Sequence, residues 1–232
     1  MTKIQGALGK NAKLANPGLL FASSTYAEVG QVIVDSMNEY LNINLGHDDG
    51  SALVTSIYSQ NLRDSAAFSA RSARISYLLG KATLLGIDDR RGVVRSQIIE
   101  YGAVAEAILL DLVQSVGVND KPGASRPTTD LKGTAIDWAN AGLFSMRAPP
   151  SKKLKFKFDF NWLISQAARL NAIDGNLEVR LHWLRESRNL VHPVIPTAQR
   201  YKDDVDSSRK ARNIVIATRD ACLSYKTLHA LP

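Results

Sequence analysis

The chain is poor in cysteine. Cys222 is its single cysteine, which excludes an intrachain disulfide and any zinc site built on several thiolates. With no cysteine framework pointing to an oxidising compartment, a cytoplasmic location is the expectation. Long apolar runs are also lacking. The richest, Ile98 to Val113, is interrupted by Glu100, Glu106 and Asp111, so no span of roughly 18 uncharged apolar residues is expected to cross a membrane. The start, Met1 to Asn16, is basic without an apolar stretch behind it, and Leu19–Ala22 is too brief to serve as one, so a secretory leader is not expected. No H-E-x-x-H, G-x-S-x-G or G-x-G-x-x-G occurs, and Gly80-Lys81 lacks the flanking residues of a phosphate loop. His47-Asp48-Asp49 has no third ligand at useful spacing and reads as a polar turn. Neither a metal nor a cofactor is expected.

What the chain does have is enough apolar residue to fold. Of its 232 residues 45% are apolar and 22% charged, and a chain of this length buries a core without covalent staples. The net charge of +7 is unevenly placed. Residues 1–120 carry 10 Lys/Arg against 12 Asp/Glu, and residues 121–232 carry 19 against 10. The second half holds all the basic excess. Clustered positive charge suits a polyanion, and nucleic acid leads the candidates.

Hydrophobic spacing gives an all-α class and a bundle of about six or seven helices. Residues 1–50 read as an N-terminal extension with one helix, Tyr26 to about Leu41, and residues 51–232 as the helical domain. Ser51 is a plausible N-cap for a long helix ending near Gly86. Asp88–Gly92 reads as a charged turn, followed by a second long helix from about Val93 to Val116. The short connection demands an antiparallel return. A helix is expected over Asp130–Ala141, closed by Gly142. Lys152 to Phe158 alternates lysine with apolar residues and is either a short strand or an extended basic loop. Helices follow over Asn161–Leu170, from an Asp174 cap to His192, and over Ser207–His229. The Ala/Ser-rich stretches Ala66–Ala70 and Ala103–Ala107 would allow close approach of a second copy, so a homodimer through the long helices is expected.

The strongest candidate site lies at the end of the helix that finishes Leu184-Arg185-Glu186-Ser187-Arg188-Asn189-Leu190-Val191-His192-Pro193. At about 100° per residue, Arg185, Arg188 and His192 fall within roughly 60° of one another. Leu177, Leu181 and Leu184 share that side. An apolar stripe therefore continues as two cations and an imidazole. Such groups either meet acidic partners across the bundle, Glu100 or Glu106, or line a cleft. The helix dipole favours imidazolium at His192 while the arginines oppose it, an arrangement suited to proton transfer.

In this stretch the chain resembles the HEPN superfamily of small helical domains, which carry an R-x4–6-H pattern near the end of a late helix. Arg185 to His192 has six intervening residues and fits. Arg188-Asn189 resembles the family's Arg-polar pair, although only three residues separate Arg188 from His192. Ile98–Leu109 resembles the early helix of these domains, and Trp162–Leu170 with Ile173-Asp174 the helix and turn before the motif. The resemblance covers about Ser51 to Leu228. It implies a metal-independent endoribonuclease of toxin or defence type, working as a homodimer on RNA and paired with an antitoxin or other partner protein. It equally implies a non-catalytic module that binds RNA or a nucleotide or mediates protein interaction. In the catalytic case His192 moves protons, Arg185 or Arg188 holds the phosphate, and Asn189 positions an oxygen or the His.

Two further basic clusters stand apart from the motif. Lys152, Lys153, Lys155 and Lys157, interleaved with Phe156 and Phe158, are candidates for contact with an RNA backbone, against a solvated loop whose rings dock on the core. Arg209, Lys210 and Arg212 form either a second basic patch or the solvent side of the last helix.

Overall fold

A computed structural model describes residues 31–32, 35–40, 50–82, 87–119, 126–138, 158–189 and 205–232, with 81–82, 87–91 and 205 given by their backbone alone. The chain divides into two units, Met1–His47 and Asp48–Pro232. In the first, residues 31–32 and 35–40 are helical, and Gln31 Nε2 donates to Asp35 Oδ1 one turn on (2.9 Å). The second is an all-α bundle. A 3-10 turn at Ser51–Leu53 precedes α1 (Gln60–Ala82), α2 (Ile87–Asn119), α3 (Phe160–Arg169), α4 (Gly175–Asn189) and α5 (Val205–Leu228). Among the described residues there is no strand, only an isolated antiparallel bridge between Thr129 and Ala135.

The centre of the bundle is α2, which touches each of the other four helices. Its 33 residues span about 50 Å at 1.5 Å per residue. Val104, Ala105, Ile108, Leu109, Leu112 and Val116 are buried on more than one side, as a helix surrounded by others requires. That position explains its composition. By length and composition alone Gly92–Asn119, even with its charged interruptions, is long and apolar enough to cross a membrane, and 72% of its most apolar window is buried inside the bundle.

The two long helices run antiparallel, as the short connection predicts. Gly80 faces Val93 at one end, while the backbone N–H of Ser59, just before α1, donates to Asp111 at the other (3.0 Å). Small residues let them close. Ala66, Ala70, Ala73 and Ala105 are all buried between elements of the same chain. The Ala/Ser faces expected to meet a second copy are therefore largely engaged within the chain, with Phe68 standing out at 70% exposed.

Several local expectations are corrected. Ser51 does not cap α1. It opens the 3-10 turn, and α1 begins only at Gln60, where Ser59 C=O accepts the first helical N–H, from Arg63 (2.9 Å). Gly50 sits at φ +81°, and a Cβ there would lie 2.4 Å from the Ala67 carbonyl oxygen, so the turn can press on α1 only with glycine. Asp88–Gly92 is not a turn, for α2 starts at Ile87 and runs through it. A helix-interior glycine costs only about 1 kcal/mol, which packing along α2 outweighs. Asp130 does not begin a helix. Its Oδ1 accepts the N–H groups of Lys132 (2.9 Å) and Thr134 (2.8 Å), a turn that competes with helix, and Gly133 adopts φ +74°. Trp138 then lies against Gly117, donating from Nε1 to the Pro127 carbonyl (2.7 Å). The residues proposed to close that helix, 139–142, lie outside those described.

The later helices agree with the sequence. Asp159 caps α3, accepting from Trp162 N (2.7 Å), and Asp174 caps α4, accepting from Leu177 N (2.7 Å). Phe158 docks on the core against Trp162, with centroids 4.7 Å apart.

One buried ion pair joins three parts of the bundle. Lys226 of α5 donates to Asp111 Oδ2 of α2, and each side chain is only 4% exposed. Asp111 also accepts the N–H groups of Tyr58 and Ser59 (both 3.0 Å), and Lys226 donates to the Ser56 carbonyl (3.0 Å). Cys222 lies one turn before Lys226, fully buried. Burial pushes its thiol from the usual 9.0 up to about 12, with Lys226 lowering it and Asp111 raising it.

Replacing Asp111 by Ala leaves an unmatched buried ammonium and two unpaired N–H groups, so a loss of about 3–5 kcal/mol in unfolding free energy is expected from urea denaturation. The double variant Asp111→Ala/Lys226→Met should recover part of that loss, because no isolated charge remains. If the single and double variants lose equally, the pair does not carry the stability assigned to it.

The thiol gives a separate pH signature. Its folded pKa lies above the unfolded one, so its contribution is complete below about pH 9 and is lost as pH rises toward about 12. Cys222→Ala should flatten the alkaline fall of the urea midpoint measured between those limits.

Candidate functional site

The end of α4 meets α2 and the start of α3 around a cavity of about 420 Å³. Arg185, Arg188 and Asn189 enter from α4, Ile99 and Glu106 from α2, and Asp159, Phe160 and Asn161 from the start of α3. The sequence explains the convergence. Leu177, Leu181 and Leu184 hold α4 on the core, and each following turn of the same stripe delivers an arginine. The Asp159 cap fixes the first turn of α3 and with it Asn161.

The two arginines are held differently. Arg188 Nη1 donates to Glu106 Oε2 across the bundle, with the pair 32% and 28% exposed. Its stem lies against Gly102, where an added Cβ would come within 3.0 Å of Arg188 Cδ. Of the two acidic partners foreseen for the cluster, Glu106 is the one engaged. Glu100 is half-buried on α2 and does not line the cavity. Arg185 has no carboxylate partner of comparable quality. Its Nη1 donates to the neutral Asn161 Oδ1 (2.8 Å), its Nη2 reaches the exposed Glu186 Oε1 at 3.3 Å, and its buried Nε has no hydrogen-bond partner. A guanidinium carries five N–H donors in a planar fork. Arg188 is thus committed to a carboxylate, while Arg185 keeps donor capacity beside a cavity.

The structure brings together Arg185, Arg188, Asn189 and Glu106 from the sequence-derived set. His192 and the lysines Lys152, Lys153, Lys155 and Lys157 lie outside the described residues. His182, set aside on helical angle, is half-exposed and reaches Glu178 Oε1 at 3.9 Å. Sequence reasoning missed Asn161 and Asp159. An Asp just before an apolar helical run is a capping signal, and it would have placed both at the mouth of the site. Among the described residues no cluster of His, Cys, Asp and Glu could hold a metal ion. Comparison with protein-family models, with curated proteins and with solved structures finds no match to this chain.

A double-mutant cycle on Glu106 and Arg188 tests the division of labour. The pair is about one-third exposed, so a coupling of about 1 kcal/mol is expected from thermal or urea unfolding, falling with added salt. Arg185→Ala in the same assay should cost less than Arg188→Ala. A larger loss at Arg185 would mark it as the structural member.

Proposed function

We propose that the chain is a HEPN-type endoribonuclease that cleaves single-stranded RNA in the cytoplasm without a metal, acting as a homodimer. The observation that carries this reading is Arg185. It lines a 420 Å³ cavity with no carboxylate among the described residues nearer than Glu186 at 3.3 Å, and six residues separate it from His192. Planar, bidentate donors suit a phosphodiester, and they stabilise the charge that grows on its oxygens in the transition state. Arg188, tied to Glu106, is then a positioning residue that fixes the face of α4, and Asn189 offers an amide to a phosphate oxygen.

The chemistry needs one proton taken and one given. The ribose 2′-oxygen attacks the adjacent phosphorus as its proton passes to a base. The phosphorus–5′-oxygen bond breaks, and an acid protonates the leaving oxygen. The products are a 2′,3′-cyclic phosphate and a free 5′-hydroxyl, with no net redox change. Two copies of His192, one from each protomer, can serve as base and acid. With Ala66, Ala70 and Ala105 buried inside the chain, this reading needs a dimer that brings the two motif ends of α4 together rather than one through those faces.

A second reading rests on the Arg188–Glu106 pair and the Arg185–Asn161 bond. They form an internal polar network, and such a network would suit a non-catalytic module that binds RNA or a protein partner.

The test is cleavage of a fluorescent single-stranded RNA in EDTA. Wild-type protein should cut it, and His192→Ala should lower turnover on the order of 10²–10⁴-fold with an unchanged thermal transition. Arg185→Ala should lower turnover more than Arg188→Ala. RNA binding without cleavage, with or without divalent cations, would favour the non-catalytic module.

A further inference from the structure

A second cavity, a cleft of about 600 Å³, lies between α1, α2 and α5. Gln97 and Tyr101 of α2 line it, whereas Ile99 and Glu106 line the Arg185 cavity. At 100° per residue these pairs stand on opposite sides of α2. The second cleft is therefore separate from the motif, and nothing in the ribonuclease reading uses it.

Its charge is one-sided. Arg74 enters from α1, and Arg209, Arg212 and Arg219 enter from one side of α5. Among the described residues, none that lines the cleft is acidic. Two of the four arginines have a carboxylate beside them. Arg209 pairs with Asp206, but the two are 70% and 77% exposed, so water screens them. Arg219 is paired with Asp220 Oδ1 through Nη2 (2.7 Å) and Nε (2.8 Å) and donates from Nη1 to the Ala52 carbonyl (2.6 Å), so its fork is already engaged. Arg74 lies over the Tyr77 ring at 5.3 Å, a contact that leaves its charge in place. The basic run at the start of α5 is also divided. Lys210 turns away onto the Trp183 ring at 3.8 Å, while Arg209 and Arg212 face the cleft.

Arg74 and Arg212 have no carboxylate partner among the described residues, and like charges facing one concavity favour an anion between them. The floor is mixed, with apolar Leu53, Ala70 and Ile216 beside the hydrogen-bonded pair Ser208–Gln97. A volume of about 600 Å³ lies within the range of small-molecule sites. An RNA strand needs an open track with stacking faces along it, whereas this is a local recess among three helices.

We infer that this cleft binds a chain of two or three linked phosphates, either free or carried by a nucleoside. Arg74 and Arg212 take the phosphate oxygens in forked pairs, and the apolar floor receives a nucleoside when one is attached.

The experiment is calorimetric titration of the full chain in EDTA at fixed ionic strength. The probes are inorganic phosphate, pyrophosphate, tripolyphosphate, AMP, ATP and GTP, with a short oligouridylate as the strand control. Saturable 1:1 binding is expected for tripolyphosphate or for the nucleoside triphosphates, stronger than for pyrophosphate and much stronger than for phosphate or AMP. Tighter binding of ATP or GTP than of tripolyphosphate assigns the nucleoside-borne form, and the reverse order assigns the free form. Arg74→Gln and Arg212→Gln should each weaken binding about tenfold, with thermal transitions and RNA cleavage unchanged. Arg185→Ala should leave the binding as it is, so the outcome is independent of the ribonuclease reading. No saturable binding of any oligophosphate at millimolar concentration overturns the inference. So does binding that is lost with Arg185→Ala but kept with both glutamine variants. Oligouridylate binding that needs Arg74 and Arg212, without oligophosphate binding, overturns it in favour of a polynucleotide track.

Discussion

The carboxylate of Asp111 sits where three elements meet, and the bundle is arranged around it. One oxygen accepts from Lys226 of α5 and from the N–H of Tyr58, and the other accepts from the N–H of Ser59. Taking two charges out of water costs several kcal/mol each, and only good geometry with further hydrogen bonds offsets it. Here the further bonds are backbone ones, including that from Lys226 to the Ser56 carbonyl. An apolar pair of equal volume could match the energy. It could not specify that residues 56–59 stop where they do, so that α1 starts at Gln60. The ion pair supplies register, and hydrophobic burial along α2 supplies most of the stabilisation.

Register matters because α2 serves both cavities. Tyr101 lines the arginine cleft, and its neighbour Gly102 receives the Arg188 stem on the other side. A small rotation of α2 would shift both. The same helix carries Glu106, which holds Arg188, and Gln97, which binds Ser208 at the start of α5. Its polar side chains thus reach α4, α5 and the segment before α1.

Most of the helical architecture is legible in the sequence, because it rests on local periodicity and on caps such as Asp174. The errors fall where a local pattern was overruled from a distance. Asp111 reads as an interruption of an apolar run, since its partner Lys226 lies 115 residues on. Ser51 has the chemistry of a cap, but Asp111 holds Tyr58 and Ser59 in place and so sets a later start for α1. Asp130 also has cap chemistry, and it used its oxygen for a turn instead. At the site, the convergence of Arg185 and Arg188 follows from helical angle alone. Their different partners do not, because Glu106 and Asn161 arrive from other helices. The arginine cleft was half visible as a basic run in α5. Its other wall, Arg74, sits more than a hundred positions earlier and has no local mark.

The long reach between Asp111 and Lys226 bears on the order in which the fold can be made. A ribosome delivers α1 and α2 well before α5. Until Lys226 emerges, the carboxylate that organises the two long helices has no counter-charge, and the apolar side of α2 that α5 will cover stays open to water. The nascent chain must therefore wait, loosely collapsed and with Asp111 still solvated, for α5 to complete the centre. Closure comes late, between distant segments. Until then the uncovered apolar side of α2 is the surface most exposed to wrong association.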